Sequence, residues 1–334
     1  MSRSEPMPSP PIEVARQGPP PIVCAGMVVT DHVCPPLDHL PAEGELVAVD
    51  DLLLNIGGGA ANAAVDLARL GVRTSICARV GDDTFGRFAS ETLVAHGIDT
   101  RGLKVDRGRP TSQTLIVNVR GQDRRFIHAV GANLGFTADD IDPVLDPPPR
   151  VLYIGYFLIL PELTAEALAQ RFARVRRGGG FTVLDVVTPG PGNYIEPLQA
   201  VLPHTDVFTP NTDEAALILG ERDPVRQALA FRDMGARRVV ITCGERGSVA
   251  VSADVRVRLG TYPIRYVDGS GGGDAFDAGY MAGLLEGLPE LDCLKLASAV
   301  GASCVRAVGT TAGVFTRAEA LEFMRTHELN VERL

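Results

Sequence analysis

Four glycines, Gly269, Gly271, Gly272 and Gly273, crowd the residues before Asp274 in the run Val267-Asp-Gly-Ser-Gly-Gly-Gly-Asp-Ala-Phe-Asp-Ala-Gly279. After it, Phe276, Met281, Leu284 and Leu285 fall at helical spacing, so the glycines open a helix. Glycine admits positive φ and lets a ligand approach the backbone without a Cβ in the way. The first N–H groups of a helix have no intrahelical acceptor, so they point at one place and favour an anion. A phosphoryl group that gains charge during transfer is such an anion. A carboxylate among those amides opposes an anion unless it has a task of its own. Accepting the proton of an attacking hydroxyl is that task, which makes Asp274 a candidate general base. The competing reading is that Asp274 caps the helix, as Asp often does.

Three further segments carry polar groups beside glycines or helix starts. In Ile56-Gly-Gly-Gly-Ala-Ala-Asn-Ala-Ala-Val65 the glycines admit a ligand, and Asn62 offers a donor and an acceptor to a sugar hydroxyl. The alternatives there are a tight turn into a helix or a dinucleotide loop, although the spacing is not G-x-G-x-x-G. In Thr209-Pro-Asn-Thr-Asp-Glu-Ala-Ala-Leu-Ile-Leu-Gly220, Asn211 and Glu214 stand three apart at a helix start. That is the spacing of a capping box, and it also puts two side chains on one face to hold water around Mg2+. Ile241-Thr-Cys-Gly-Glu-Arg-Gly-Ser248 is a strand entering a glycine-containing turn, which serves either as a hairpin or as a cradle for a nucleotide.

The elements that must position these residues alternate. Pro21–Val29 reads as a buried strand, and Ala60–Leu70 as a helix stopped by Gly71. Strand-like and helix-like segments then follow one another to Thr242, the pattern of βαβ units. The expected fold class is α/β, a three-layer sandwich with a mainly parallel central sheet. Leu46–Ile56 and the pair Thr114–Val119 and Arg125–Val130 break the rhythm as strands without helices, with Gly121-Gln122-Asp123 as a turn. They predict a small sheet that serves as a lid or a dimer surface, or else an edge extension of the main sheet. Residues 1–20, rich in Pro and Ser, are expected to be a disordered tail, and residues 21–330 one domain with lid strands at about 31–56 and 111–131.

Composition excludes several classes. Hydrophobic residues make up 45% and charged residues 22%, the balance of a globular protein with a substantial core. The net charge of -9 argues against nucleic acid and membrane surfaces as partners. No run approaches the roughly 20 apolar residues that span a bilayer, and the first residues lack a signal peptide's apolar core. The six cysteines show no CxxC pair and sit mostly in apolar segments, so buried free thiols and a cytoplasmic location are expected.

Taken together and in order, these segments resemble the ribokinase-like carbohydrate kinases, the PfkB family, from about Val23 to Phe315. Gly57-Gly58-Gly59-Ala60-Ala61-Asn62 and Asp268–Asp274 look like its two signatures, Asn211–Glu214 like its N-x-x-E motif, and Thr242–Gly247 like its nucleotide turn. Gly81–Gly86 and Gly131-Ala-Asn133 look like family segments too. The resemblance implies the three-layer fold with a β lid, and a homodimer through it. It implies Asp274 as base, the backbone of Gly271, Gly272 and Gly273 as anion hole, and Asp31, Gly58, Gly59 and Asn62 at the sugar. Asn211 and Glu214 would organise Mg2+ and phosphate, and Thr242, Gly244 and Gly247 would meet ATP. Asp268 and Ser270, with Gly309 nearby, fall at a K+-like ion site. Gly269 and Gly272 stand where the family often has Thr and Ala; Gly59 and Val29 stand where ribokinases carry Lys and Asn, which weakens ribose as the acceptor. Arg120, Arg124, Arg125 and His128 in the lid read as a solvated face before a site for an acidic substrate. The expected reaction is transfer from ATP to a sugar-like hydroxyl. A nucleoside kinase, a non-catalytic sensor on the same fold and an NAD-dependent oxidoreductase are the rivals.

Overall fold

The computed structural model describes residues 18–122 and 125–334. The expected tail therefore lies largely outside the described residues, as do Asp123 of the lid turn and Arg124. Fourteen strands follow in chain order: β1 (Ile22–Gly26), β2 (Val29–Val33), β3 (Leu53–Gly57), β4 (Thr74–Gly81), β5 (Asp99–Asp106), β6 (Gln113–Val117), β7 (Arg125–Ala129), β8 (Val151–Gly155), β9 (Phe181–Leu184), β10 (Val207–Phe208), β11 (Val239–Thr242), β12 (Ser248–Val251), β13 (Arg256–Leu259) and β14 (Val331–Arg333).

Ten of them form one sheet in the order β14-β13-β12-β11-β10-β9-β8-β1-β4-β5. From β5 to β11 every pairing is parallel, and β12, β13 and β14 close one edge antiparallel. Parallel strands buried on both faces must be apolar throughout, and β1 and β8 are fully buried. Alternate residues serve opposite layers. Ile22 and Cys24 pack with the Gly59–Arg69, Gly272–Glu286 and Glu290–Cys304 helices. Val23 and Ala25 pack with the Ala165–Arg177, Thr212–Leu219 and Pro224–Asp233 helices. This is the expected three-layer α/β sandwich.

The chain leaves β1 toward β4 and β5 on one side and returns to β8 on the other. Between β1 and β8 it changes direction, the place where open α/β sheets take ligands beyond the carboxyl ends of their strands. Glycines let backbones meet at that point. A Cβ on Gly155, at the end of β8, would lie 2.8–3.0 Å from the backbone of Gly59 and Ala60. The amino end of the Gly59–Arg69 helix thus sits directly against the strand end.

The remaining strands form a separate sheet, β3-β2-β6-β7, which decides between a lid and an edge extension in favour of a distinct small sheet. Its β2–β6 pairing is parallel and the other two antiparallel. Of the expected strand Leu46–Ile56 only Leu53 onward pairs. Leu46, Val49 and Leu52 recur every third residue, which suits no strand face, and Leu46 is 87% exposed. Asp83 pins β6 by accepting from Thr111 N and Oγ1 at 2.7 and 2.6 Å, and Asn133 clamps the β1–β2 link by donating to the Val28 carbonyl at 3.0 Å. All six cysteines are free thiols, four of them buried. Among the described residues no helix is long and apolar enough to cross a membrane.

Gly155→Ala should force the Gly59–Arg69 helix away from β8 and lower stability by about 1–3 kcal/mol. Urea unfolding with an unchanged midpoint would show that the two backbones do not meet as closely as described.

Candidate active site

Asp274 lies in the first turn of the Gly272–Glu286 helix and is 4% exposed. It does not cap that helix: Gly271 is the N-cap, in the left-handed region at φ 74, and no side chain bonds the cap. Gly271 is required there, since a Cβ would run into the Thr310 carbonyl. Gly272 would only touch Val305, and a Cβ on Gly273 would meet nothing within 4 Å, so that bare face opens outward. Helix geometry leaves the N–H groups of Gly272, Gly273 and Asp274 without partners from a preceding turn, which makes the expected anion nest.

The Asp274 carboxylate is two-sided. Its Oδ2 accepts from Asn62 Nδ2 at 2.8 Å and from the Tyr156 hydroxyl at 3.0 Å. Its Oδ1 is buried without a protein hydrogen bond. Burial pushes the carboxyl up to about 6 against the pull of these two donors, and the nearby charge of Asp31 adds to the rise. One oxygen is thus fixed and the other is left to accept a proton.

Tyr156 is the residue that sequence reasoning missed. It follows an apolar strand without any motif, and its role depends on its backbone. At φ 64 it is the one non-glycine with positive φ among the described residues, a conformation costing about 1–3 kcal/mol and concentrated at functional sites. A Cβ on Gly59 would lie 2.7 Å from its ring, so Gly59 makes room for Tyr156. Gly58, at φ 90, lets the helix start pass the Met27 carbonyl. Asn62, expected at the sugar, spends an amide N–H on Asp274.

The lid brings Asp31 over this point. Asp31 is 7% exposed, and a Cβ on Gly57 would strike its carboxylate. Burial raises it to about 6, while the Thr114 hydroxyl bonds it and opposes the rise. Asp31, Thr114 and His128 are register partners across β2, β6 and β7. His128 Nδ1 lies 3.0 Å from the Thr114 hydroxyl. The lid arginines stand apart from this row: Arg120 pairs with Asp38 and Arg125 donates to Gln122. The solvated-face reading fits both.

Asn211 and Glu214 do form a capping box. Asn211 Oδ1 accepts from Asp213 N and Glu214 N, and Glu214 Oε2 accepts from Asn211 N, all at 2.9 Å. The box leaves Asn211 Nδ2 and Glu214 Oε1 for other partners. Burial pushes Glu214 up to about 7, and the Asp274 charge contributes. Asp185 and Asp277, also unforeseen, lie close enough to Glu214 and Asp274 that burial and mutual repulsion hold both well above the carboxylate range. Asp277 had a signal, three residues past Asp274 on one helix; Asp185 had none beyond ending an apolar strand.

The Thr242–Gly247 turn takes the hairpin form. It joins β11 to β12 as a hairpin, and Thr242 bridges Asn211 at the carboxyl edge of the sheet. Gly244 and Gly247 take positive φ, and a Cβ on Gly247 would strike the Leu259 carbonyl. Arg246, with Thr212 and Asp213, lines a cavity of about 650 Å³ between this turn and the capped helix. Asp268, Ser270 and Gly309 also come together: Ser270 N and Oγ donate to Asp268 Oδ1 at 3.0 and 2.9 Å, and Gly309 N donates to Oδ2 at 3.0 Å. The Thr310 hydroxyl donates to the Ile56 carbonyl at 3.3 Å, tying this loop to β3.

Tyr156→Phe removes one of the two donors that favour ionised Asp274. It should lower kcat about tenfold and move the acid limb of the pH–rate profile to higher pH. A profile that superimposes on the wild type would remove Tyr156 from the support of the base.

The profile of the pfkB family carbohydrate kinases matches residues 20–317. Ribokinase of Mus musculus is 31% identical over 302 residues, covering 86% of this chain and 90% of its own. Among solved structures, Arabidopsis thaliana ribokinase complexed with ribose and ATP superposes with a TM-score of 0.78 at 22% identity, over 91% of this chain and 98% of that one. An E. coli protein in complex with ATP and Mg2+ superposes with a TM-score of 0.76 at 24% identity, over 92% and 99%. At those identities the structures establish the fold, while the family match extends across Asp274, the glycine run and the capped helix alike. The chain belongs to the pfkB family of carbohydrate kinases.

Proposed function

We propose that the protein transfers the γ-phosphoryl group of ATP to a hydroxyl, a primary one, of a neutral sugar or sugar-like molecule, with Asp274 as the base. The observation that carries this is the two-sided carboxylate, with Oδ2 held by two donors and Oδ1 buried and unpartnered beside the glycine amides. An acceptor hydroxyl placed at Oδ1 gives up its proton there as its oxygen attacks in line. The amides of Gly272 and Gly273 take up charge on the transferred group, and Thr242, Gly244 and Gly247 line the nucleotide end. The small sheet, carrying Asp31, excludes water that would otherwise hydrolyse ATP.

The residues fit Mg2+. Glu214, Asp185, Asp274 and Asp277 repel one another, a tension that a hard divalent cation relieves. Asn211 and Glu214 are the ones that would hold it, through water. When bound, it would neutralise phosphate charge. The Asp268–Ser270–Gly309 loop supports K+ as an activator, an effect read by comparing rates in K+ and in Na+.

A neutral acceptor is supported by the lid row. Asp31, Thr114 and His128 offer hydrogen bonds, burial holds His128 below the ordinary histidine range and so uncharged, and Arg120 and Arg125 are engaged elsewhere. On the other lid face Leu54, Leu115 and Ile127 form one exposed cross-strand row with His32, Ile127 being 67% exposed. That row supports a homodimer through the lid.

Asp274→Asn should lower kcat by ~10²–10⁴ in a coupled ADP-release assay against sugars, sugar acids, sugar phosphates and nucleosides. ATP should still raise the melting temperature of this variant; near-normal turnover would end the base assignment. Because Asp274 and Asp31 both gain protons near pH 6, kcat/KM should fall as pH drops through about 6, more steeply than one proton requires. A rate that stays flat to pH 4 contradicts both values. Ile127→Glu should shift the protein toward monomer in sedimentation; a wild type already monomeric at micromolar concentration rules the lid interface out.

A further inference from the structure

Asp66 has no part in the chemistry above, yet its position ties it to that chemistry. It follows Asn62 by four residues on the Gly59–Arg69 helix, so the two share a face one turn apart, with roughly 5–6 Å between Cβ atoms. Asp66 is 0% exposed and Asn62 is 2% exposed. Neither Asp66 oxygen has a hydrogen-bond partner, and neither has Asn62 Oδ1, because the Asn62 N–H is committed to Asp274. Two successive turns of a buried face thus carry acceptors facing a shortage of donors, an arrangement that natural interiors avoid.

One proton resolves it, since a protonated carboxyl is a donor as well as an acceptor. We propose that Asp66 is a neutral carboxylic acid in the working enzyme and donates its O–H to Asn62 Oδ1, fixing the amide so that its N–H end faces the base. Asp66 is then a positioning residue, two hydrogen bonds removed from Asp274, and this role rests on Asp274 being the base. If the Asn62 amide turned over, its oxygen would face the Asp274 carboxylate, repel the ionised form and leave Tyr156 as the one remaining donor.

The surroundings favour the neutral acid. Asp274 approaches from the Gly272–Glu286 helix, Cys24 from β1 and Cys304 from the Glu290–Cys304 helix. Burial first, and then the Asp274 charge, hold the Asp66 carboxyl well above the ordinary range. Arg69, the cation that acts against them, spends its guanidinium on the Val314 and Ala312 carbonyls. Arg79 of β4 turns to Asp140 in the other layer.

The test compares Asp66→Asn and Asp66→Ala with the wild type in pH profiles of kcat/KM, in KM for ATP and in infrared difference spectra at neutral pH. An amide at position 66 still donates, so Asp66→Asn should keep kcat within about threefold and leave the acid limb in place. Asp66→Ala should lose about tenfold in kcat, with the limb moved to higher pH and KM for ATP unchanged. The wild type minus Asp66→Asn spectrum should contain a protonated-carboxyl band. An ionised Asp66 predicts the opposite, an acid limb that moves to lower pH in Asp66→Asn and no such band. Either result overturns the proposal, as does an Asp66→Ala enzyme identical to the wild type in kcat and limb. Because the infrared band does not depend on turnover, a protonated Asp66 remains measurable even if Asp274→Asn proves active and the base itself was misassigned.

Discussion

A carboxylate taken out of water beside a helix start needs donors, and much of this structure supplies them to Asp274. Two elements distant in sequence deliver the donors, Asn62 from the first turn of one helix and Tyr156 from beyond the end of β8. For both to reach the same oxygen, the Gly59–Arg69 helix must lie directly on the end of β8. That contact exists because Gly59 and Gly155 have no side chains to hold the backbones apart. The cost of the site appears in the Tyr156 backbone, held in the left-handed region where a side chain is strained. The parallel sheet and its two helical layers over-determine that conformation.

The same low-dielectric setting organises the electrostatics. Asp274, Asp185, Asp277 and Glu214 are buried within range of one another, and each is pushed upward by burial before any neighbour acts. An interior so rich in carboxyl groups resists further negative charge unless cations or protons accompany it. In the capping box at Asn211 and Glu214, one oxygen of Glu214 closes the helix end and the other is left without a role in the cap.

The lid contributes a different kind of order. It is joined to the main body by Asn133 at the β1–β2 link, by Asp83 at the start of β6 and by Thr310 at β3, three polar contacts at its base. Beyond them Asp31, Thr114 and His128 form a hydrogen-bonding row on one face, and Leu54, Leu115 and Ile127 an apolar row on the other. The division follows from strand geometry, since neighbouring residues point to opposite faces.

The class of fold was legible in the sequence because local rules govern it, and the glycine run and Asp274 could be named as candidates on the same ground. Alternation of apolar strands with amphipathic helices reports βαβ units, and glycines before a helix report an anion site whatever the rest of the chain does. Asn62, Asn211, Glu214 and Asp274 could be named from spacing for the same reason. What Asn62 bonds to could not be named, because its partner lies more than two hundred residues away and a helix start does not specify what stands opposite. Tyr156 was invisible: a tyrosine after an apolar strand carries no signal of a left-handed backbone, which only the packing of β8 against Gly59 imposes. Asp66 looked like one more polar residue in a helix until the two helical layers closed over it. Sequence determined which groups could do chemistry; tertiary burial, by removing water and choosing their partners, decided which of them hold charge and which hold a proton.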